Sequence, residues 1–268
     1  MLKLNQLLIA WLLLQVSLTG FAQVKPLPNA HAHNDYRHER PLLDALKHGF
    51  TSVEADVLLI DGELYVGHDM PQGEHQLPTL QDTYLKPLQQ QVSQYNGQIY
   101  LGYDGPFYLM IDIKTEAEPT YAQLEKVLTL YQSMLSKTEA GTYEPGAVTV
   151  FLSGNRPVKQ VLQASSRLVS IDGRPDDLGQ GYSAEFMPVI SQHYRAIIDW
   201  DGQEPLSGKQ RRALEKLTKK AHQEGKKVRL WATPENQLVW RTLLDAGVDL
   251  INTDQLAELQ RFLNQRNK

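Results

Sequence analysis

The chain has 268 residues, 41% of them hydrophobic, enough to bury one substantial core. Its formal net charge of -4 offers no basic footprint for a nucleic acid. The lack of cysteine excludes disulfides, thiolate metal sites and a cysteine nucleophile.

Residues 1–22 read as a separate object. MLKLNQ carries Lys3, LLIAWLLLQVSL is apolar, and GFA supplies small residues before Gln23. That order is the order of a signal peptide, and the run is shorter than the roughly 20 residues a membrane span needs. The expected mature chain starts near Gln23 and is exported, periplasmic or secreted; a retained N-terminal anchor is the alternative.

The first chemical signals lie between Asn29 and Met70. A strand is predicted over Pro28–His33, then a helix at about Pro41–Lys47 with Pro41 in its first turn and Gly49 as its stop. A second strand, Thr51–Ile60, turns at Asp61-Gly62 into a hairpin arm, Leu64–His68. Alternation places His31 with His33, and Glu54 with Asp56, on shared strand faces. A carboxylate pair on a buried strand face is costly unless compensated, and a divalent cation compensates it. The bland alternative is a strand end whose acids meet solvent or a lysine. The hairpin folds His68 back toward the level of Glu54.

Residues Pro71–Gly105 are polar and Gln- and Gly-rich, with one helix at about Leu80–Gln94. They read as an insertion that lies over a barrel mouth or decorates its periphery. A third strand, Phe107–Ile113, holds Asp112, with Lys114 following on the same face. Beyond it come a helix at Tyr121–Leu135, a strand at Ala147–Leu152 ending in Ser153-Gly154-Asn155, and a short helix at Pro157–Ala164. A fifth strand, Arg167–Ile171, ends in Asp172-Gly173-Arg174. Pro175–Tyr194 carries no clear pattern. A sixth strand is expected at Arg195–Trp200, ending at Asp201, then a helix at Lys209–Glu224 whose basic face meets solvent. Strands at Lys227–Ala232 and Asp249–Thr253 flank a helix at Glu235–Ala246, and a last helix covers about Gln255–Leu263. Eight strands with intervening helices predict an α/β chain folded as one (β/α)8 TIM barrel over residues 23–268. Active groups of such barrels sit at the C-terminal strand ends, where His33, Glu54, Asp56, Asp112, Lys114, Asn155, Asp172, Asp201, Trp231 and Asp254 fall.

The segments HAHND, GFTSVEADVLLIDGELYVGHD, MIDIKT, RLWAT and GVDLINTD resemble, in order, the motifs of glycerophosphodiester phosphodiesterases. That family belongs to the phospholipase-C-like phosphodiesterase superfamily of TIM barrels. The HNDY and VGH wording is similar to that of the subgroup named for altered inheritance of mitochondria. The resemblance implies a phosphodiester hydrolase acting on a small-molecule or lipid-derived phosphodiester. It implies His33 and His68 as a general acid–base pair, Glu54, Asp56 and Asp112 as ligands of one Mg²⁺ or Ca²⁺, Lys114 as a phosphoryl-neutralising cation, and Trp231 as a pocket wall. The family's His-Arg-Gly is His33-Asn34-Asp35 here, so its phosphate-contacting arginine is missing, and Arg37 or Arg40 is the expected substitute. His31 is an addition to the pattern, expected to orient His33, join the metal or fill the mouth, and grouped with Arg40 and Trp231 as substrate-binding.

The chemistry is coherent on the residues alone. A cation held by carboxylates polarises a non-bridging oxygen, one imidazole accepts a proton and the other returns one, and a lysine offsets growing negative charge. Two rivals stand beside this reading. HxH after a first barrel strand also opens metal-dependent amidohydrolases and related phosphoesterases, which need a further histidine on a later strand. A non-catalytic exported binding barrel is the other.

Overall fold

The structure, a computed structural model, describes residues 24–73 and 76–266. The expected signal peptide at residues 1–22 lies outside the described residues. In chain order the strands are β1 (Leu27–Ala32), β2 (Phe50–Ile60), β3 (Glu63–Val66), β4 (Phe107–Ile113), β5 (Lys137–Glu139), β6 (Thr142–Glu144), β7 (Val148–Gly154), β8 (Ser166–Arg167), β9 (Val169–Gly173), β10 (Val189–His193), β11 (Lys227–Trp231) and β12 (Leu250–Thr253). The helices are α1 (Leu43–Lys47), α2 (Lys86–Gln94), α3 (Ala117–Thr129), α4 (Val158–Gln163), α5 (Gly208–Gln223), α6 (Gln237–Asp245) and α7 (Leu256–Arg266).

Eight strands form a closed parallel barrel in the order β1-β2-β4-β7-β9-β10-β11-β12, with β12 pairing back onto β1. The predicted (β/α)8 barrel is therefore the fold. The arm β3 lies antiparallel on β2, as the Asp61-Gly62 turn requires. Strands β5, β6 and β8 make a small separate sheet.

Strand period explains the layers. In β2, Val53, Ala55 and Val57 join the apolar layer between barrel and helices. The alternate residues point inward: Glu54 is in register with Met110, which packs with Phe151, Val189 and Leu250 as an apolar plug inside the barrel. Two residues further along, Asp56 is in register with Asp112 and Asp112 with Ser153. The β7–β9 register carries that level on to Asp172, whose Oδ2 accepts a 2.8 Å bond from Ser153. An acidic tier thus sits above the apolar plug, at the C-terminal mouth.

Two expectations are corrected. The sixth strand is Val189–His193, not Arg195–Trp200. Its apolar signal is weak because Ser191, Gln192 and His193 are polar, whereas Ile198 and Trp200 lie buried in a loop without being a strand. An apolar run alone does not separate those cases. Residues Pro71–Gly105 supply the crossover between β3 and β4. A π-helical turn, Gln81–Leu85, runs into α2, and Leu80, Tyr84, Leu85, Leu88 and Val92 bury one face against the barrel. Tyr100 donates to the carbonyls of Leu46 and Phe50, anchoring the return at the start of β2. Helix α3 begins and ends several residues before the predicted Tyr121–Leu135, leaving a 3-10 turn at Gln132–Met134.

Candidate active site

The mouth of the barrel holds a cleft of about 470 Å³, lined by His33, Asn34, Glu54, His68, Asp112, Lys114, Ser153, Asn155, Arg174, Arg229 and Trp231 among others. Glu54, Asp56 and Asp112 each bring one carboxylate oxygen within 4.8 Å of the others. Lys114 reaches Asp56 at 3.2 Å and Asp112 at 3.1 Å. It thus bridges the two acids that register places side by side. The oxygens nearest it, Oδ2 of Asp56 and Oδ1 of Asp112, share this one cation. Burial and the neighbouring Glu54 charge push Asp56 up to about 6 despite Lys114, and burial likewise raises Asp112. Crowded carboxylates that share a single lysine fit a hard divalent cation, which would supply the missing positive charge.

Glu54 behaves differently. It too is buried, but Arg229 donates to its Oε2 at 3.1 Å, and His31 and His33 approach the same oxygen at 3.6 and 3.9 Å. Burial opposes ionisation, yet the Arg229 charge, His31 and His33 together hold Glu54 down to about 2. Arg229 is itself fixed by Asn252 at 2.8 Å and Ser191 at 3.4 Å, so β10, β11 and β12 all brace this carboxylate.

His33 stands at the end of β1, where its backbone N–H donates to Thr253. Its Nδ1 lies 2.8 Å from Asp254 Oδ1. A carboxylate only accepts, so Nδ1 carries the proton and Nε2 faces Glu54. The Asn34 amide, 2.9 Å from the same Nδ1, then directs its hydrogen to Asp254 at 3.4 Å. Burial lowers the His33 pKa, but the Asp254 bond and the charges on Glu54 and Asp254 outweigh it and raise the group. His68, on the loop beyond β3, has the same arrangement: Nδ1 meets Asp69 Oδ1 at 2.9 Å while the ring lines the cleft.

The structure brings His33, His68, Glu54, Asp112, Lys114 and Trp231 to one cleft, with Asp56 directly beneath it. Two residues fall elsewhere. His31 is fully enclosed, with Nδ1 on Ser52 at 2.7 Å and Nε2 against Glu54; it props the acid from below and does not face a substrate. Burial and the Arg229 charge pull it down to about 4, so it is neutral at pH 7. Arg40 is exposed and forked onto Asp44, away from the cleft wall, because the turn before α1 carries it outward. The guanidiniums that do line the cleft belong to Arg174 and Arg229. Arg229 opens the RLWAT segment, Asp254 closes GVDLINTD and Arg174 ends the fifth strand's Asp172-Gly173-Arg174, but the sequence assigns none of the three a role. His193 ends β10. It accepts from the Arg195 N–H and packs edge-on to Trp231 at 4.4 Å, outside the acidic cluster. The amidohydrolase reading therefore gains no ligand from it.

Comparison with known proteins agrees with this geometry. An AIM6-like phosphodiesterase domain matches residues 19–171, and the glycerophosphoryl diester phosphodiesterase family matches residues 227–257. The altered inheritance of mitochondria protein 6 homolog of Arthroderma benhamiae is 31% identical over 265 residues, covering 87% of this chain and 82% of that protein. The chain belongs to the AIM6-like phosphodiesterase family. A second member, from Lachancea thermotolerans, is 29% identical over 287 residues, covering 88% of this chain and 66% of its own length. Among solved structures, a glycerophosphodiester phosphodiesterase from Parabacteroides distasonis superposes with a TM-score of 0.58 at 19% identity, covering 91% of this chain and all of that one. That likeness shows the shared barrel. The two family matches meet on opposite arcs of it: the AIM6-like match carries His33, Glu54, Asp56, His68, Asp112 and Lys114, and the other carries Arg229, Trp231 and Asp254. No helix among the described residues is long and apolar enough to cross a membrane.

Proposed function

We propose that this phosphodiesterase-family chain hydrolyses a glycerophosphodiester, or a related phosphodiester derived from a phospholipid, with one Mg²⁺ or Ca²⁺ held by Glu54, Asp56 and Asp112. The observation that carries the reading is the convergence of three acids, each with one oxygen within 4.8 Å of the others, beneath a cleft that two carboxylate-backed imidazoles line. The cation, when bound, supplies Lewis-acid charge to a phosphoryl oxygen.

The chain's own groups do the rest. Asp254 fixes the His33 tautomer so that Nε2 is the working nitrogen, and Asp69 does the same for His68. One imidazole takes the proton of the attacking hydroxyl and the other delivers a proton to the departing alkoxide. Lys114 keeps a positive charge beside the phosphoryl group as negative charge grows. Arg229 holds Glu54 ionised, and Trp231 closes the wall on the β11 side. The place of action on this reading is outside the cytoplasm, with residues 1–22 removed as a signal peptide.

The test is a panel of phosphodiesters, including bis-p-nitrophenyl phosphate and glycerophosphodiesters, with metal removed and restored. Activity should vanish in EDTA and return with Mg²⁺ or Ca²⁺. Single His33→Ala and His68→Ala variants should each lose about 10²–10⁴-fold in kcat. A double variant with native activity would exclude the acid–base assignment, and stoichiometric zinc would exclude the metal assignment.

A further inference from the structure

Among the described residues three permanent cations line the cleft, and they are not equivalent. Lys114 is held between two carboxylates at 3.2 and 3.1 Å. Arg229 spends Nε on Asn252, Nη1 on Ser191 and Nη2 on Glu54. Arg174 is arranged otherwise. Its Nη1 alone takes the local acceptors: Asp172 Oδ2 at 2.7 Å, the Gly173 carbonyl at 2.9 Å and the Asp172 carbonyl at 3.2 Å. Its Nη2 has only the Ser153 hydroxyl at 3.5 Å, the outer limit of a hydrogen bond. The side chain is 30% exposed and lines the cleft.

Its position is equally specific. Asp56, Asp112, Ser153 and Asp172 form one tier of the barrel. Lys114 lies two residues beyond Asp112, Asn155 two beyond Ser153, and Arg174 two beyond Asp172, each lining the same cleft. Each follows the end of its strand, so a polar tier from three adjacent strands lines the mouth beyond the acidic one. Asn155 turns its amide to the Thr115 carbonyl, which leaves Lys114 and Arg174 as the charged pair of that tier. The backbone around Arg174 is held as well, since its N–H donates to Asp177 Oδ2 at 2.7 Å across a short 3-10 turn, Pro175–Asp177.

We propose that Arg174 is a substrate-contacting catalytic residue whose Nη2 donates to a non-bridging oxygen of the scissile phosphodiester. It thereby takes the place of the guanidinium missing from His33-Asn34-Asp35. A guanidinium with one nitrogen anchored and the other held only by a 3.5 Å bond is preorganised for an oxyanion, because little side-chain freedom is left to lose on binding. The proposal rests on the phosphodiesterase reading above.

The test is steady-state kinetics of Arg174→Lys and Arg174→Gln in the full chain, on bis-p-nitrophenyl phosphate, glycerophosphocholine and glycerophosphoglycerol. Both variants should lose about 10²–10³-fold in kcat/KM, by a similar factor on every substrate. Added guanidinium should restore part of the Arg174→Gln activity, which a purely structural role would not allow. Arg174→Lys keeps a cation beside the buried Asp172, so it carries the test if melting curves show that Arg174→Gln does not fold. Activity within about threefold of native, a loss confined to one alcohol, or a folded Arg174→Gln variant without guanidinium rescue would each overturn the assignment. A native chain inactive on all three substrates refutes the phosphodiesterase reading and this proposal with it; an active native chain with indifferent variants refutes this proposal alone.

Discussion

His33 donates through Nδ1 to the Asp254 carboxylate at 2.8 Å, joining the first barrel strand to the segment after the last. The bond raises the imidazole above its ordinary value although burial pulls the other way. In Asp254→Asn the bond weakens and a negative charge disappears, so the pKa of His33 falls. The limb of the pH–rate profile that belongs to His33 should then move toward acid, whichever direction the proton travels. A profile that stays in place while kcat drops would mean that Asp254 acts on something other than this imidazole.

Arg229 and Glu54 make a second test, on stability. Removing one partner of a buried ion pair costs about 3–5 kcal/mol, so Arg229→Met should melt well below the native chain at pH 7. Glu54 has a folded pKa held down to about 2, so the pair's contribution is full above the ordinary value of 4.5 and fades as pH falls through about 2. The gap in melting temperature between variant and native should therefore narrow below about pH 4. A gap independent of pH would assign the loss to packing.

Gly154 has φ +65°, and a Cβ built there would run into Asp112 Oδ1 and the Ile113 carbonyl. Gly154→Ala therefore strains the backbone, at about 1–2 kcal/mol for the left-handed conformation alone, and displaces one acid of the cluster. Calorimetric titration with Mg²⁺ or Ca²⁺ should show weaker binding than in the native chain. Unchanged affinity would show that Asp112 is not a ligand.

Asp35 is fully buried, accepts from the Leu42 N–H at 2.6 Å and the Tyr84 hydroxyl at 2.9 Å, and leaves Oδ1 bare. Burial outweighs those bonds and pushes it up to about 7 from 3.8. The folded chain binds this proton more tightly than the unfolded one, so the stability it confers is complete below pH 3.8 and is lost as pH rises through about 7. Asp35→Asn should match the native melting temperature near or below pH 3.8 and exceed it at pH 8. Equal melting temperatures at both values would show that Asp35 ionises freely.

Short-range periodicity made half of the site legible in the sequence. Two-residue alternation puts Glu54 and Asp56 on one face, and the same rule puts Asp112 and Lys114 on one face of a neighbouring strand. The Asp61-Gly62 turn brings His68 to the same mouth. The barrel itself comes from counting alternating elements, although one of the eight strands was expected in the wrong place. Its polar residues Ser191, Gln192 and His193 lack an apolar signal, and Ile198 and Trp200 carry one without pairing. Long-range pairs left no trace. Asp254 is 221 residues from His33, and Arg229 is 175 from Glu54. Only closure of the barrel reveals that they touch. Arg40 was expected at the cleft for its proximity in sequence to His33, but a turn of backbone is enough to send it to Asp44.

The seam between β1 and β12 has a consequence for synthesis of the protein. A chain emerging from the ribosome exposes His33 and the acidic strands early, but Asp254 comes 221 residues after that histidine. Until then neither the tautomer of His33 nor its proton affinity is set, and the first strand lacks one neighbour. That contact therefore forms only after translation has passed the final barrel strand. A chain shortened by that strand and the residues beyond it would retain every acid of the metal cluster and both histidines, yet lack the contact that arms the first of them.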